Sequence, residues 1–176
     1  MSTVPNIIKL AMIMLFVALA AGCSMSNIEP DEITSNVQIV KHHQGSVSVK
    51  VVGGEEKEDQ LRLTNASVKE AVEAAIKKSK LFSGISNGKS DYRVDVIINS
   101  VNQPAFGFTM TVTVEASWIV TRLSDNKLIW RKAISSSRTL GVSDEAGGLA
   151  RVRRATGEAA GLNIEKAFAE ISKLNL

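Results

Sequence analysis

The stretch FTMTVTVEASWIVT, residues 108–121, decides how this 176-residue chain is read. Phe108, Met110, Val112, Val114, Ala116, Trp118 and Val120 alternate with Thr109, Thr111, Thr113, Glu115, Ser117, Ile119 and Thr121. Successive strand side chains point to opposite faces, so this alternation predicts a half-buried strand with one apolar side and one wet side. A sheet wet on one face is characteristically antiparallel. Ser124-Asp125-Asn126-Lys127 is turn chemistry, and Leu128 to Ser136 returns as the partner strand of a hairpin.

Working outward, Tyr92 to Ser100 repeats the alternation, with Tyr92, Val94, Val96 and Ile98 on one side. Between these strands Gln103-Pro104-Ala105-Phe106-Gly107 reads as a hairpin connection with Phe106 at its tip. An aromatic there is either a contact point for a partner or a side chain folded back onto the core. Ser67 and Glu70 have capping-box spacing and open a helix to about Lys80, with Val68, Ala71, Val72, Ala75 and Ile76 on one face. Before it lie two β-rich runs, VQIVK and SVSVKVV, at 37–41 and 46–52. The chain closes in an amphipathic helix from about Ser143 to Leu174, where Gly157 and Gly161 would allow close approach to the sheet. The expected fold is therefore α+β: one antiparallel or mixed sheet of about five strands, two helices on one face, order β-β-α-β-β-β-α.

The N-terminus reads differently. Lys9 precedes an uncharged apolar run, Leu10 to Gly22, that ends in Ala20-Ala21-Gly22 just before Cys23. A bilayer span needs about 20 apolar residues, so the run has the length of a signal-peptide core. Its ending resembles the lipobox of bacterial lipoproteins, with Ala20 where leucine is commonest. Cys23 is the only cysteine. The resemblance implies that residues 1–22 are a lipoprotein signal peptide and that Cys23 carries the diacylglycerol and acyl (palmitate-type) chains. Ser24 after the cysteine implies sorting to the outer membrane, facing the periplasm. Residues 23–36, polar and acidic with Pro30 inside, read as the lipidated cysteine and a flexible tether, and 37–176 as a single domain.

Chemistry is sparse. The net charge of +3 is no concentrated basic stripe, which argues against a nucleic-acid partner. His42 and His43 are the only histidines and, being adjacent, would point apart on a strand, which disfavours a shared metal. Metalloprotease, nucleophile-elbow, phosphate-loop and dinucleotide fingerprints are all missing, so no cofactor and no catalytic residue is assigned. Arg151, Arg153 and Arg154 crowd the start of the last helix, with Arg131, Lys132 and Arg138 on the strand before it. They read either as a solvated helix face or as a patch for anionic headgroups or an acidic partner.

The pieces DYRVDV, QPAFGFTMTVTVEASW, LIW and NIEKAFAEISKLNL together resemble a family of small Gram-negative lipoproteins. Some of its members have been labelled UDP-N-acetylglucosamine acyltransferases. The hexapeptide repeats that such an activity's β-helix needs are missing here. The order of elements, with Ser137-Arg138-Thr139 before a long final helix, is also similar to that of the lipopolysaccharide-assembly lipoproteins. The likeness is one of fold, and the residues themselves favour a non-enzymatic binding or accessory module of an envelope assembly, with exposed edge strands, the basic patch of Arg151, Arg153 and Arg154 and the loop around Phe106 as its candidate contacts with an envelope protein. The alternative is a component that handles lipid or lipopolysaccharide.

Overall fold

The structure, a computed structural model, describes residues 27–54 and 62–176. Its sheet has five strands: β1 (His43–Val52), β2 (Phe82–Ile85), β3 (Tyr92–Asn102), β4 (Thr109–Arg122) and β5 (Lys127–Gly141). Helix α1 (Asn65–Ser79) links β1 to β2, and helix α2 (Gly148–Ile171) follows β5. The spatial order is β2-β1-β3-β4-β5. Strand β1 runs parallel to both its neighbours, whereas β3-β4 and β4-β5 are antiparallel, so the sheet is mixed.

The alternation is realised from Met110 onward, while Phe108, one residue before β4 begins, is exposed and leaves the apolar face. Met110, Val112, Val114, Ala116, Trp118 and Val120 are all buried. Register carries the same face across the sheet, since Val49 pairs with Val94 and Val94 with Val120. Helix α1 packs against β1 and β2 and helix α2 against β4 and β5, both on this apolar face. A buried polar network fixes the seat of α2. Trp118 Nε1 donates to Asn163 Oδ1 at 2.8 Å, and Asn163 Nδ2 donates to the carbonyls of Ile134 (2.9 Å) and Val114 (3.2 Å). Ser136, also inward-facing, donates to Ala159 O at 2.8 Å. A buried amide with every group satisfied specifies one register of helix on sheet, where an apolar contact alone would tolerate sliding.

Five strands and two helices are as the alternation and helical periods require, but one strand lies elsewhere. Residues 37–41 form no strand, and β2 takes the fifth place after α1, so the order is β-α-β-β-β-β-α. The physical reason is that segment 27–42 runs as a strap along α2. Asn36 N–H is taken by the Glu165 carboxylate and Val40 N–H by Ser172 Oγ, so side chains of α2 and of the residue that caps it, not a neighbouring strand, satisfy the backbone. Part of the segment expected to be tether belongs to the strap. Ile28 and Ile33 are in the core, Pro30–Glu32 is a short 3-10 turn, and Ile28 N donates to Arg62 O at 2.8 Å. The glycine pair of α2 serves the same contact. A Cβ on Gly157 would strike the Glu32 carbonyl and one on Gly161 the Thr34 carbonyl, so these glycines admit the strap and not the sheet.

Smaller differences concern ends. Helix α1 is capped by Thr64, whose Oγ1 accepts from Ser67 N at 3.0 Å, three residues before the expected cap. Lys80 closes it in the left-handed region at φ 55°. Helix α2 begins at Gly148, and β5 runs five residues past Ser136.

Candidate functional site

Strands β3 and β4 join at one end of the sheet, and this end collects the residues of interest. Strand β1 finishes there at Val52, α1 and α2 both start there, and β5 arrives there at Gly141. The connection from β3 to β4 is fastened from below. Gln103 Nε2 donates to Thr156 Oγ1 at 2.9 Å, and Arg151 Nη2 donates to Gly107 O at 3.1 Å. Arg151 Nη1 also donates to the carbonyls of Glu145 (2.6 Å) and Ala146 (3.1 Å), which ties the β5-α2 connection to the same cation. Gly107, at φ +150°, supplies a conformation that side-chain-bearing residues rarely adopt.

With the backbone so held, Phe106 and Phe108 point outward, 87% and 85% exposed. Of the two readings of Phe106, the exposed one is realised. Val142 and Leu149, on the adjoining connection and the first turn of α2, are exposed beside them. A groove of about 450 Å³ lies between Pro104, Phe106, Met110, Leu149, Arg151 and Val152.

The three arginines are not brought together as a free cationic surface. Arg151 is buried at 4% exposure and acts as an internal clamp, which removes it from any surface contact. Arg153 holds Glu32 of the strap, with Nη2 to Oε2 at 2.6 Å, and that hydrogen bond keeps the Glu32 carboxyl below the usual carboxylate range. Arg154 pairs with Glu158 (2.8 Å) and donates to Asp144 O (3.0 Å). On β5, Lys132 pairs with Glu170 and Arg138 with Glu158. Sequence spacing displays the cations but not these carboxylates, which come from one helix turn away, from the strap or, for the β5 cations, from the facing helix α2.

Of the histidines, His43 is buried, with Nε2 on the Ile171 carbonyl at 2.9 Å. Burial pushes its pKa down. Exposed His42 places Nδ1 on Lys80 O at 2.7 Å, so the two rings have different partners. Among the described residues no group of His, Cys, Asp and Glu could hold a metal ion. Nor is any described helix long and apolar enough to cross a membrane. Cys23 and the apolar run before it lie outside the described residues.

Among the described residues no helix covers the opposite face of the sheet. Hydroxyls pair across it, Thr111 with Thr139 and Thr113 with Ser137, each at 2.8 Å, and Asn99 donates to Ser117 at 2.9 Å. Strand β5 borders the sheet as a long outer strand, and side chains of α2 reach two of its carbonyls, Asn163 Nδ2 that of Ile134 and Lys166 Nζ that of Ser135, each at 2.9 Å.

No family model matches this chain, and no curated protein matches it in sequence. Solved structures match it in fold. A Xanthomonas campestris protein of the DUF330 family superposes with a TM-score of 0.58 at 13% identity, covering 78% of this chain and 89% of that one. PelC of Paraburkholderia phytofirmans, a dodecamer, gives 0.50 at 13% identity over 81% and 96%. A Chlamydia trachomatis protein gives 0.50 at 14% identity over 73% and 93%. At these identities the likeness is one of fold, which does not carry function with it.

Proposed function

We propose that this chain is a lipid-anchored protein of the bacterial envelope that works as a non-enzymatic binding or accessory module. The carrying observation is the sheet itself. Among the described residues no helix covers one face, which carries hydroxyls along β4 and β5 together with charged Lys50, Arg93, Asp95, Glu115 and Arg131, and it ends at the long outer strand β5. A strand border of that length offers backbone groups to an incoming chain, a recurrent mode of protein docking. The dodecameric PelC gives a precedent for this fold as a component of an assembly. The anchor rests on the short apolar run, the small residues before Cys23 and the cysteine itself, and Ser24 directs the lipoprotein to the outer membrane.

A lipid-handling role would call for an apolar chamber beneath the sheet. Among the described residues that layer is filled by Trp118, Phe168, Ile164 and Ile171, all essentially without solvent contact. The docking reading therefore comes first.

Crosslinking whole envelopes and recovering the tagged full chain tests it, beside a Cys23→Ala control. Recovery of one envelope protein complex, lost in the control, is the expected result. Recovery of bound lipid with no protein would favour the lipid-handling reading instead. Fractionation of a Ser24→Asp variant tests the sorting separately, with a shift to the inner membrane expected.

A further inference from the structure

We infer that the β3-β4 connection, with Phe106 and Phe108 at its tip and Val142 and Leu149 beside it, dips into the lipid surface to which the chain is anchored. Three independent observations converge on this end of the sheet. The first is apolar exposure. Phe106, Phe108, Val142 and Leu149 stand together here and Val52 closes β1 at the same end, whereas the other large exposed apolar residues among those described, Val40 and Leu128, stand elsewhere. The second is charge. From Val96 to Val114 the sequence holds no charged residue, so the hairpin can enter an apolar interface without desolvating an ion. The third is where the chain comes from. Asn27 bridges to Arg62, just before the Thr64 cap of α1, and α1 starts at this same end. Cys23 is only four residues upstream, a reach of roughly 14 Å when fully extended. An anchor that short holds this end, and not the opposite one, against the bilayer.

The fastening of the loop suits the role. Arg151 and Gln103 fix its backbone, so the phenyl rings are presented outward before any lipid is met and little ordering is needed on contact. Aromatic side chains favour the interfacial layer of a bilayer, and a few apolar residues reinforce a lipid anchor. Lipid headgroups and acyl chains are the occupants, and a partner protein at the same tip is the competing outcome.

This inference rests on the reading of Cys23 as the lipid-bearing residue, and the test separates the two. Full chains with Phe106→Trp or Ser124→Trp, each in a Trp130→Phe background, are placed in vesicles of phosphatidylethanolamine and phosphatidylglycerol containing a brominated-chain phospholipid. Ser124 lies in the β4-β5 turn at the opposite end. Mass spectrometry reads the state of Cys23 in the same samples. Several-fold stronger quenching of the Phe106→Trp protein is expected. Equal, weak quenching in both, with Cys23 shown to be acylated, overturns the inference and leaves the anchor standing. A bare Cys23 overturns the anchor, and quenching of Phe106→Trp in that unlipidated protein would then sustain the inference while its absence would end it. A photo-crosslinker at position 106 that captures a protein in cells, with no lipid adduct, also overturns it.

Discussion

Strand β4 reverses into an antiparallel neighbour at both its ends, and the two reversals differ in almost every respect. The β4-β5 turn is polar and self-contained: Arg122 pairs with Asp125 at 3.5 Å, Asp125 Oδ1 accepts from Lys127 N at 3.2 Å, and Asn126 takes the left-handed conformation at φ 53°. Its groups answer one another within a few residues. The β3-β4 connection makes its key bonds to distant residues, reaching Thr156 and Arg151 on α2, and leaves its aromatic rings outside. A turn meant only to reverse the chain needs no support from another element. One that must hold large apolar side chains in water does, because their own burial would otherwise collapse them onto the core. The difference sets an apolar end braced by another element against a polar end whose groups satisfy one another.

The largest effect on this contrast should come from Arg151→Ala. Three carbonyls on two connections would lose their charged donor in a buried setting, at a cost of about 3 kcal/mol. Urea denaturation reads the loss, and hydrogen exchange should show it concentrated at the β3-β4 end. A fall no larger than that of an exposed-residue control would mean the loop holds itself, and the two reversals would then be alike.

Gly161→Ala should come next, at about 2 kcal/mol, because the new methyl meets the Thr34 carbonyl and backbone has to move. The strap then lifts from α2, and cleavage by trypsin at Lys41 should quicken. Gly88→Ala, with open space around the position, should stay within about 0.5 kcal/mol of the parent. Since the strap delivers Asn27 to the apolar end, this pair of variants asks how firmly the chain's point of exit is fixed.

At the solvent end, Asn126→Val should cost about 1 kcal/mol, since a β-branched residue strains in the left-handed region, whereas Asn126→Gly should be close to neutral. Thermal unfolding of both variants tests this. Equal effects would show that the turn's stability comes from the Asp125 bonds and not from the backbone at 126.

How much of this was legible beforehand follows from what a sequence pattern encodes. Alternation over 108–121 reports which side chains are buried, and that is a property of one strand, so β4 and its wet face were readable. The same pattern at 37–41 belongs to no strand, because Val37 and Ile39 are half-buried against the core in a segment whose backbone bonds to Glu165 and Ser172. Periodicity says that a face is covered and is silent on what covers it. Strand β2 is too short, at four residues, to show a period at all. The arginines were visible as a cluster, but their partners Glu32 and Glu158 meet them only through the strap and the helix turn. Phe106 was legible as a tip residue, while Phe108 was assigned to the core by alternation. It falls one residue before β4 begins, where the pleat no longer dictates direction.

That misassignment yields the smallest expected effect and the sharpest use of the comparison. A core phenylalanine replaced by serine would be expected to cost several kcal/mol, as large apolar truncations do. At 85% exposure Phe108 has almost no buried surface to lose, and the same holds for Phe106. The double variant Phe106→Ser, Phe108→Ser should therefore unfold within about 0.5 kcal/mol of the parent in urea. If stability dropped by several kcal/mol, the rings would be packing in solution, and the β3-β4 end would be a core extension with no claim to be a contact surface. If stability held, the conservation of fold energy would isolate whatever the rings do to events outside the folded chain.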